Sequence, residues 1–175
     1  QFNAQRPTAE IVSVGVIDAA NRPSRQVVLV DKSQNAIIVL ERSASGVYET
    51  IATEEFGAME VRGMVTRDLD GDGKTDVLVY GDDRFAVLFA GGNEPNLVEL
   101  SHYETTIKNA RYGDLIVGDL TGDGKPNVAL FDVFNHLVDV VTLGSGLQPR
   151  SALDFRVFEE KSFRSSQFRR TPEPR

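Results

Sequence analysis

Two short acidic loops contain the residues whose types and spacing favour metal chemistry. The first loop reads DLDGDGKTD over residues 68–76, and its carboxylates stand at positions 1, 3, 5 and 9: Asp68, Asp70, Asp72 and Asp76. Glycines at positions 4 and 6 allow the tight turn that brings such carboxylates together. Carboxylates held this close repel one another unless a cation lies between them. An all-oxygen set without His or Cys favours Ca²⁺ over zinc or copper.

The second loop, DLTGDGKPN over residues 119–127, repeats the pattern with weaker ligands: Asp119, Thr121, Asp123 and Asn127. In both loops we expect the backbone carbonyl of position 7 to complete the ligand set, from Lys74 in the first and Lys125 in the second. A Lys costs nothing there, because only its backbone oxygen would contact the ion. The spacing therefore predicts two calcium sites, the second of them weaker.

An EF-hand loop opens with a similar run of aspartates, but it needs a bidentate Glu at position 12. Position 12 is Val79 after the first loop and Leu130 after the second. Each loop is followed instead by a short apolar run rich in strand-forming residues, at 77–80 and 128–131. The loops are therefore predicted to connect strands.

A repeat of about 50 residues organises the chain around these loops. Asp68 and Asp119 are 51 residues apart. Asp18 precedes Asp68 by 50 residues and lies in a degenerate copy of the same unit. We expect no metal in that copy, because Ala and Pro occupy its ligand and glycine positions. Each unit offers one strand before the loop and three after it, and the last strands are expected around residues 47–51, 97–100 and 155–158. Four strands in a unit of this length are typical of a β-propeller blade.

The sequence thus predicts an all-β fold of β-propeller blades, each of four antiparallel strands, with about three to three and a half blades in the chain. The blades are expected at about residues 11–58, 59–108 and 109–160, and a basic, flexible tail at 161–175. Because propellers close with about 4 to 8 blades, the ring needs completion. A longer parent chain and self-association with a second copy are the favoured routes, and an abbreviated fourth blade at 151–163 is the third.

The loops and the blade-length repeat resemble the FG-GAP or VCBS-type repeats of integrin-α-like β-propellers, over about residues 11–145. In that family a D-x-[DNT]-x-D-G-x-x-[DN] loop between blade strands holds Ca²⁺. The first loop matches this pattern fully, and the second matches it with permitted substitutions. Our primary hypothesis is a non-catalytic, calcium-stabilised module that binds a protein or glycan partner. The resemblance leaves two alternatives: an ancillary segment of a carbohydrate-active enzyme such as a polysaccharide lyase, and a glycan-binding lectin.

Composition argues against several other classes. A net charge of -7 disfavours a nucleic acid or an anionic membrane surface as the main partner. No apolar run approaches the roughly 20 residues of a membrane-spanning helix. Neither His102 nor His136 lies in a recognisable catalytic set, so we expect no enzymatic activity. Calcium loops of middling strength suit compartments rich in calcium, which predicts an extracytoplasmic protein that is periplasmic, secreted or on the cell surface.

Overall fold

A computed structural model describes residues 7–19, 22, 24–91, 98–144 and 148–157. In chain order, its strands are β1 (Ile11–Ile17), β2 (Gln26–Asp31), β3 (Ala36–Arg42), β4 (Tyr48–Glu55), β5 (Gly63–Arg67), β6 (Asp76–Tyr80), β7 (Arg84–Phe89), β8 (Glu99–Glu104), β9 (Tyr112–Gly118), β10 (Asn127–Asp132), β11 (Leu137–Thr142) and β12 (Arg150–Arg156). The described residues contain no helix, and hence none able to cross a bilayer. The predicted basic tail at 161–175 lies outside the described residues.

The strands form three four-stranded antiparallel sheets, each built from consecutive strands. We call them blade 1 (β1 to β4), blade 2 (β5 to β8) and blade 3 (β9 to β12). The predicted all-β fold of four-stranded, propeller-like blades is confirmed. One apolar cluster joins blade 1 to blade 2 and another joins blade 2 to blade 3. Among the described residues no such cluster joins blade 3 to blade 1, so these three blades form an open stack.

Two-sided burial explains why the central strands read as continuous apolar runs. Successive side chains of a strand point to opposite faces of its sheet. In β6, Val77 and Val79 pack towards blade 1, whereas Leu78 and Tyr80 pack towards blade 3. Every residue of this strand is therefore buried. The acidic loops enter these strands directly, so the first residue of β6 and that of β10 belong both to a loop and to the buried sheet.

The last strands of blades 2 and 3 differ from their predicted positions. The strand predicted at 97–100 is observed at Glu99–Glu104, and the one predicted at 155–158 is observed at Arg150–Arg156. Polar residues interrupt the apolar ones in both strands, so a search for apolar runs finds only part of each. The strand Arg150–Arg156 pairs with β11 and therefore completes blade 3. It does not begin the abbreviated fourth blade that one alternative placed at 151–163.

Candidate metal centre

The first acidic loop connects β5 to β6, and its backbone is arranged around Asp68. The Asp68 carboxylate accepts hydrogen bonds from the N–H of Gly71 at 2.7 Å and from the N–H of Gly73 at 2.9 Å. Both glycines have positive φ angles, +86° and +82°, which residues with side chains rarely adopt. The glycine spacing therefore creates the turn that fixes the first ligand.

Three of the predicted ligands of this loop converge. Asp68, Asp70 and Asp76 each offer one carboxylate oxygen, and the three oxygens lie within 4.8 Å of one another. Two oxygens bound to one Ca²⁺ at 2.3–2.6 Å are at most about 5 Å apart. The separations of the three carboxylate oxygens are therefore compatible with a shared calcium ion.

Asp72 and Lys74 lie beside this cluster. The exposed Asp72 carboxylate accepts the Lys74 N–H at 2.7 Å through Oδ1. Its Oδ2 lies close to Gly91, where an added Cβ would collide with it. Ligation by the Asp72 side chain and by the Lys74 carbonyl stays a prediction.

Asp76 is the buried member of the cluster, and its electrostatics favour a bound cation. Its Oδ2 accepts the N–H of Leu69 and its Oδ1 accepts the N–H of Ala90, both at 2.8 Å. Burial raises the pKa of Asp76 to about 7, the two backbone hydrogen bonds lower it, and the nearby charges of Asp70 and Asp72 raise it again. An ionised Asp76 is therefore costly in the ion-free protein. A hard dication would offset that cost, so the donor set fits Ca²⁺.

The second acidic loop, between β9 and β10, has the same backbone frame. Asp119 accepts the N–H of Gly122 at 2.7 Å and that of Gly124 at 2.9 Å, as Asp68 does with its two glycines. Asp123 accepts the N–H of Lys125 at 3.0 Å. The two loops therefore share the same backbone hydrogen bonds, although their predicted metal-ligand side chains differ.

The side chains at positions 3 and 9 of the second loop bond to each other. The Thr121 hydroxyl donates to Asn127 Oδ1 at 3.2 Å, and Asn127 Nδ2 donates to the Thr142 hydroxyl at 3.4 Å. Only Asp119 and Asp123 bring negative charge to this loop. Calcium binding through these residues and the Lys125 carbonyl stays a prediction. Asn127 Oδ1 accepts hydrogen bonds from within its own loop, so its contacts do not add support for a ligand role.

Position 9 has a structural role that the metal-ligand pattern did not reveal. Its side-chain oxygen accepts the N–H of position 2 in all three blades: Gln26 from Ala19 at 2.8 Å, Asp76 from Leu69 at 2.8 Å, and Asn127 from Leu120 at 2.9 Å. Gln26 and Asn127 are neutral and fully buried, like Asp76. The signal was present in the sequence, since Gln26 follows Asp18 by the same eight residues that separate Asp68 from Asp76.

The loop between β1 and β2 is the blade 1 equivalent of the acidic loops, and we call this position in each blade its corner. The corner of blade 1 contains two cationic side chains, Arg22 and Arg25. Arg25 Nε donates to Asp18 Oδ1 at 3.0 Å. Gln26 Nε2 donates to Glu41 Oε1 at 3.2 Å, and Glu41 also pairs with Arg22 at 3.0 Å. Guanidinium groups therefore accompany both carboxylates at this corner.

Comparison with known families agrees with the geometry of the loops. Residues 68–130 match the model of a family described as an FG-GAP-like repeat. The match begins at Asp68 and includes both acidic loops with strands β6 to β9 and most of β10. No curated protein matches the chain. The predicted resemblance is therefore confirmed over residues 68–130, which are similar to an FG-GAP-like repeat.

Proposed function

We propose that the chain is a calcium-stabilised module of propeller blades that binds a partner protein and performs no chemistry itself. One observation carries the calcium part of this proposal, the convergence of Asp68 and Asp70 on the fully buried Asp76. A calcium ion there would bind residues of the β5–β6 loop to the first residue of a central strand. It would act as a structural staple at the corner of blade 2.

The surface of the end blades supports the binding role. Val14 on β1 is 63% exposed and Leu153 on β12 is 54% exposed, and both lie on sheet faces that also carry other apolar side chains. Contiguous exposed apolar surface typically marks a site of protein association. Against a catalytic role, the two histidines lie on different blades, His102 on β8 and His136 in the turn between β10 and β11. FG-GAP-type repeats also favour an extracytoplasmic setting, where calcium is abundant enough for weak sites to fill.

Calcium titration tests the staple. For a site with a Kd of about 10⁻⁴ to 10⁻³ M, 1 mM calcium would add about 0.4 to 1.4 kcal/mol of stability by mass action. This corresponds to a rise in Tm of about 1 to 6 °C for a domain of this size. We expect the rise with CaCl₂, a smaller one with MgCl₂, and reversal by a chelator.

Matched variants assign the effect to the cluster. Asp70→Asn should remove the first loop's share of the calcium-dependent rise in Tm, whereas Glu49→Gln, the same charge change at an exposed residue of β4, should preserve the full rise. Asp123→Asn reports separately on the second loop. Isothermal titration that shows no calcium binding up to several millimolar would overturn the proposal. A glycan array probed with and without calcium separates protein binding from the lectin alternative.

A further inference from the structure

The three blades face the same way along the stack. Val28, Leu78 and Ala129 are equivalent, because each stands two residues after position 9 of its loop. Val28 packs towards blade 2 and Leu78 packs towards blade 3. Ala129 therefore lies on the face of blade 3 that points away from blade 2, where it packs only with side chains of its own blade. We call this the forward face.

The forward face of blade 3 carries apolar side chains on all four strands, and the exposed Asp114 lies opposite Phe131 on the same face. Residues directly opposite on paired strands share a face, which places Ile116 beside Ala129, Leu153 beside Val140 and Phe155 beside Val138. Ile116, Leu153 and Phe155 are all exposed. In blades 1 and 2 the equivalent face is covered by the next blade.

The opposite end of the stack exposes the complementary face, which we call the backward face of blade 1. Leu29, Ile38 and Leu40 form a small apolar cluster there. Val14 pairs with Leu29 on the same face, and Val16 pairs with Val27. In blades 2 and 3 the equivalent faces pack against the preceding blade. Among the described residues, the forward-on-backward contact therefore forms twice, and one half of it is open at each end of the stack.

The contact between blades 2 and 3 contains a buried polar pair. The Tyr103 hydroxyl of blade 2 donates to Asp139 Oδ2 of blade 3 at 2.6 Å, and both residues are buried. Asp139 also accepts the hydroxyl of Tyr112 at 2.8 Å and that of Ser151 at 2.8 Å. A tyrosine on a forward face thus matches an aspartate on a backward face.

On the two open faces, other residues replace both the tyrosine and the aspartate of this pair. The register makes Phe155 the blade 3 equivalent of Tyr103, and Ile38 the blade 1 equivalent of Asp139. Each face lacks the polar group that would need a partner on the other. If these faces met, an apolar contact between Phe155 and Ile38 would replace the hydrogen bond.

We propose that two copies of this chain associate head to tail, with the forward face of blade 3 of each copy on the backward face of blade 1 of the other. This inference rests on the protein-binding part of the proposed function and is independent of calcium. A contact between two different surfaces either closes into a ring or propagates into a filament. Two copies of a three-blade stack give six blades, within the range of about 4 to 8 at which propellers close.

Sedimentation velocity and light scattering on the full chain test this assembly. We expect a species of twice the chain mass of 19.2 kDa. Val14→Lys on the backward face and Leu153→Glu on the forward face should each weaken the dimer about tenfold or more, because each would bury an unpaired charge. Val133→Glu is the matched control, since Val133 is 66% exposed in the β10–β11 turn and lies on neither face. Circular dichroism establishes that the variants fold.

Mixing the two variants tests the head-to-tail geometry directly. A Val14→Lys copy keeps its forward face and a Leu153→Glu copy keeps its backward face, so the mixture retains one intact contact. We expect dimers in the mixture and monomers in each folded variant alone. A monomeric chain, or open assemblies larger than two copies, would overturn the closed ring. A monomer that binds another protein through Val14 or Leu153 would overturn self-association alone and leave the proposed function standing.

Discussion

Replacing Asp76 with Asn removes the ionisable group of a corner while keeping its shape. The structure supplies the precedent, because Asn127 and Gln26 hold the equivalent positions and accept the same position 2 N–H. Asn at 76 can keep the bond from Leu69 N–H through its oxygen. It would lose the bond from Ala90 N–H, since an NH₂ group would replace Oδ1.

The magnitude follows from the pKa of Asp76, which burial raises from 3.8 to about 7. A raised carboxyl pKa means that the folded state binds the proton more tightly than the unfolded state. Its contribution to stability is therefore complete below about pH 4 and is lost as the pH rises through 7. Three pH units correspond to about 4 kcal/mol. Asp76→Asn lacks this loss, but at every pH it loses about 1 to 3 kcal/mol through the unpaired Ala90 N–H.

Urea unfolding followed by circular dichroism measures this balance in metal-free buffer with a chelator. At pH 4.5 we expect Asp76→Asn to be less stable than the unsubstituted protein, and near pH 8 we expect the order to reverse. Calcium at pH 8 should stabilise the unsubstituted protein more than Asp76→Asn. Glu49→Gln, which removes an exposed carboxylate, should leave the pH profile unchanged. Parallel profiles for Asp76→Asn and the unsubstituted protein between pH 4.5 and 8 would refute the assignment of a raised pKa to Asp76.

Two further substitutions test the packing between strands and between blades. Gly81→Ala should destabilise the fold by about 1 to 3 kcal/mol, because the added Cβ would lie 2.8 Å from the backbone oxygen of Glu60; urea unfolding measures it, and an unchanged midpoint would contradict the close approach. Tyr103→Phe should cost about 1 to 2 kcal/mol, because Asp139 would lose one of its hydroxyl donors at the contact between blades 2 and 3; thermal unfolding compared with Tyr48→Phe, on the outer strand of blade 1, is the control.

The corners and the blade count could be predicted because their information is local. Asp68 with Gly71 and Gly73 specifies a turn within six residues, and the same spacing around Asp119 repeats it. Continuous apolar runs after each loop then identify the central strands. The sequence therefore predicted the all-β class, the four-stranded units and the place where carboxylates converge.

The interactions that sequence reasoning missed depend on register and on neighbouring blades. Asp139 is one aspartate among many in the sequence, and its contact with Tyr103 exists only because two sheets pack at a particular offset. The role of Gln26 was hidden because the ligand pattern admits Asp or Asn at position 9 and does not admit Gln. The strand at Arg150–Arg156 differs from its predicted position because polar residues interrupt its apolar pattern.

The hydrogen bonds from glycine N–H groups to Asp68 and Asp119 have a consequence for the evolution of these corners. Since backbone N–H groups already hold the leading carboxylate, an ion meets a preformed cradle and little conformational entropy is lost on binding. Under the proposed calcium role, one or two side-chain replacements at a corner would change its dependence on calcium while the blade behind it keeps its shape.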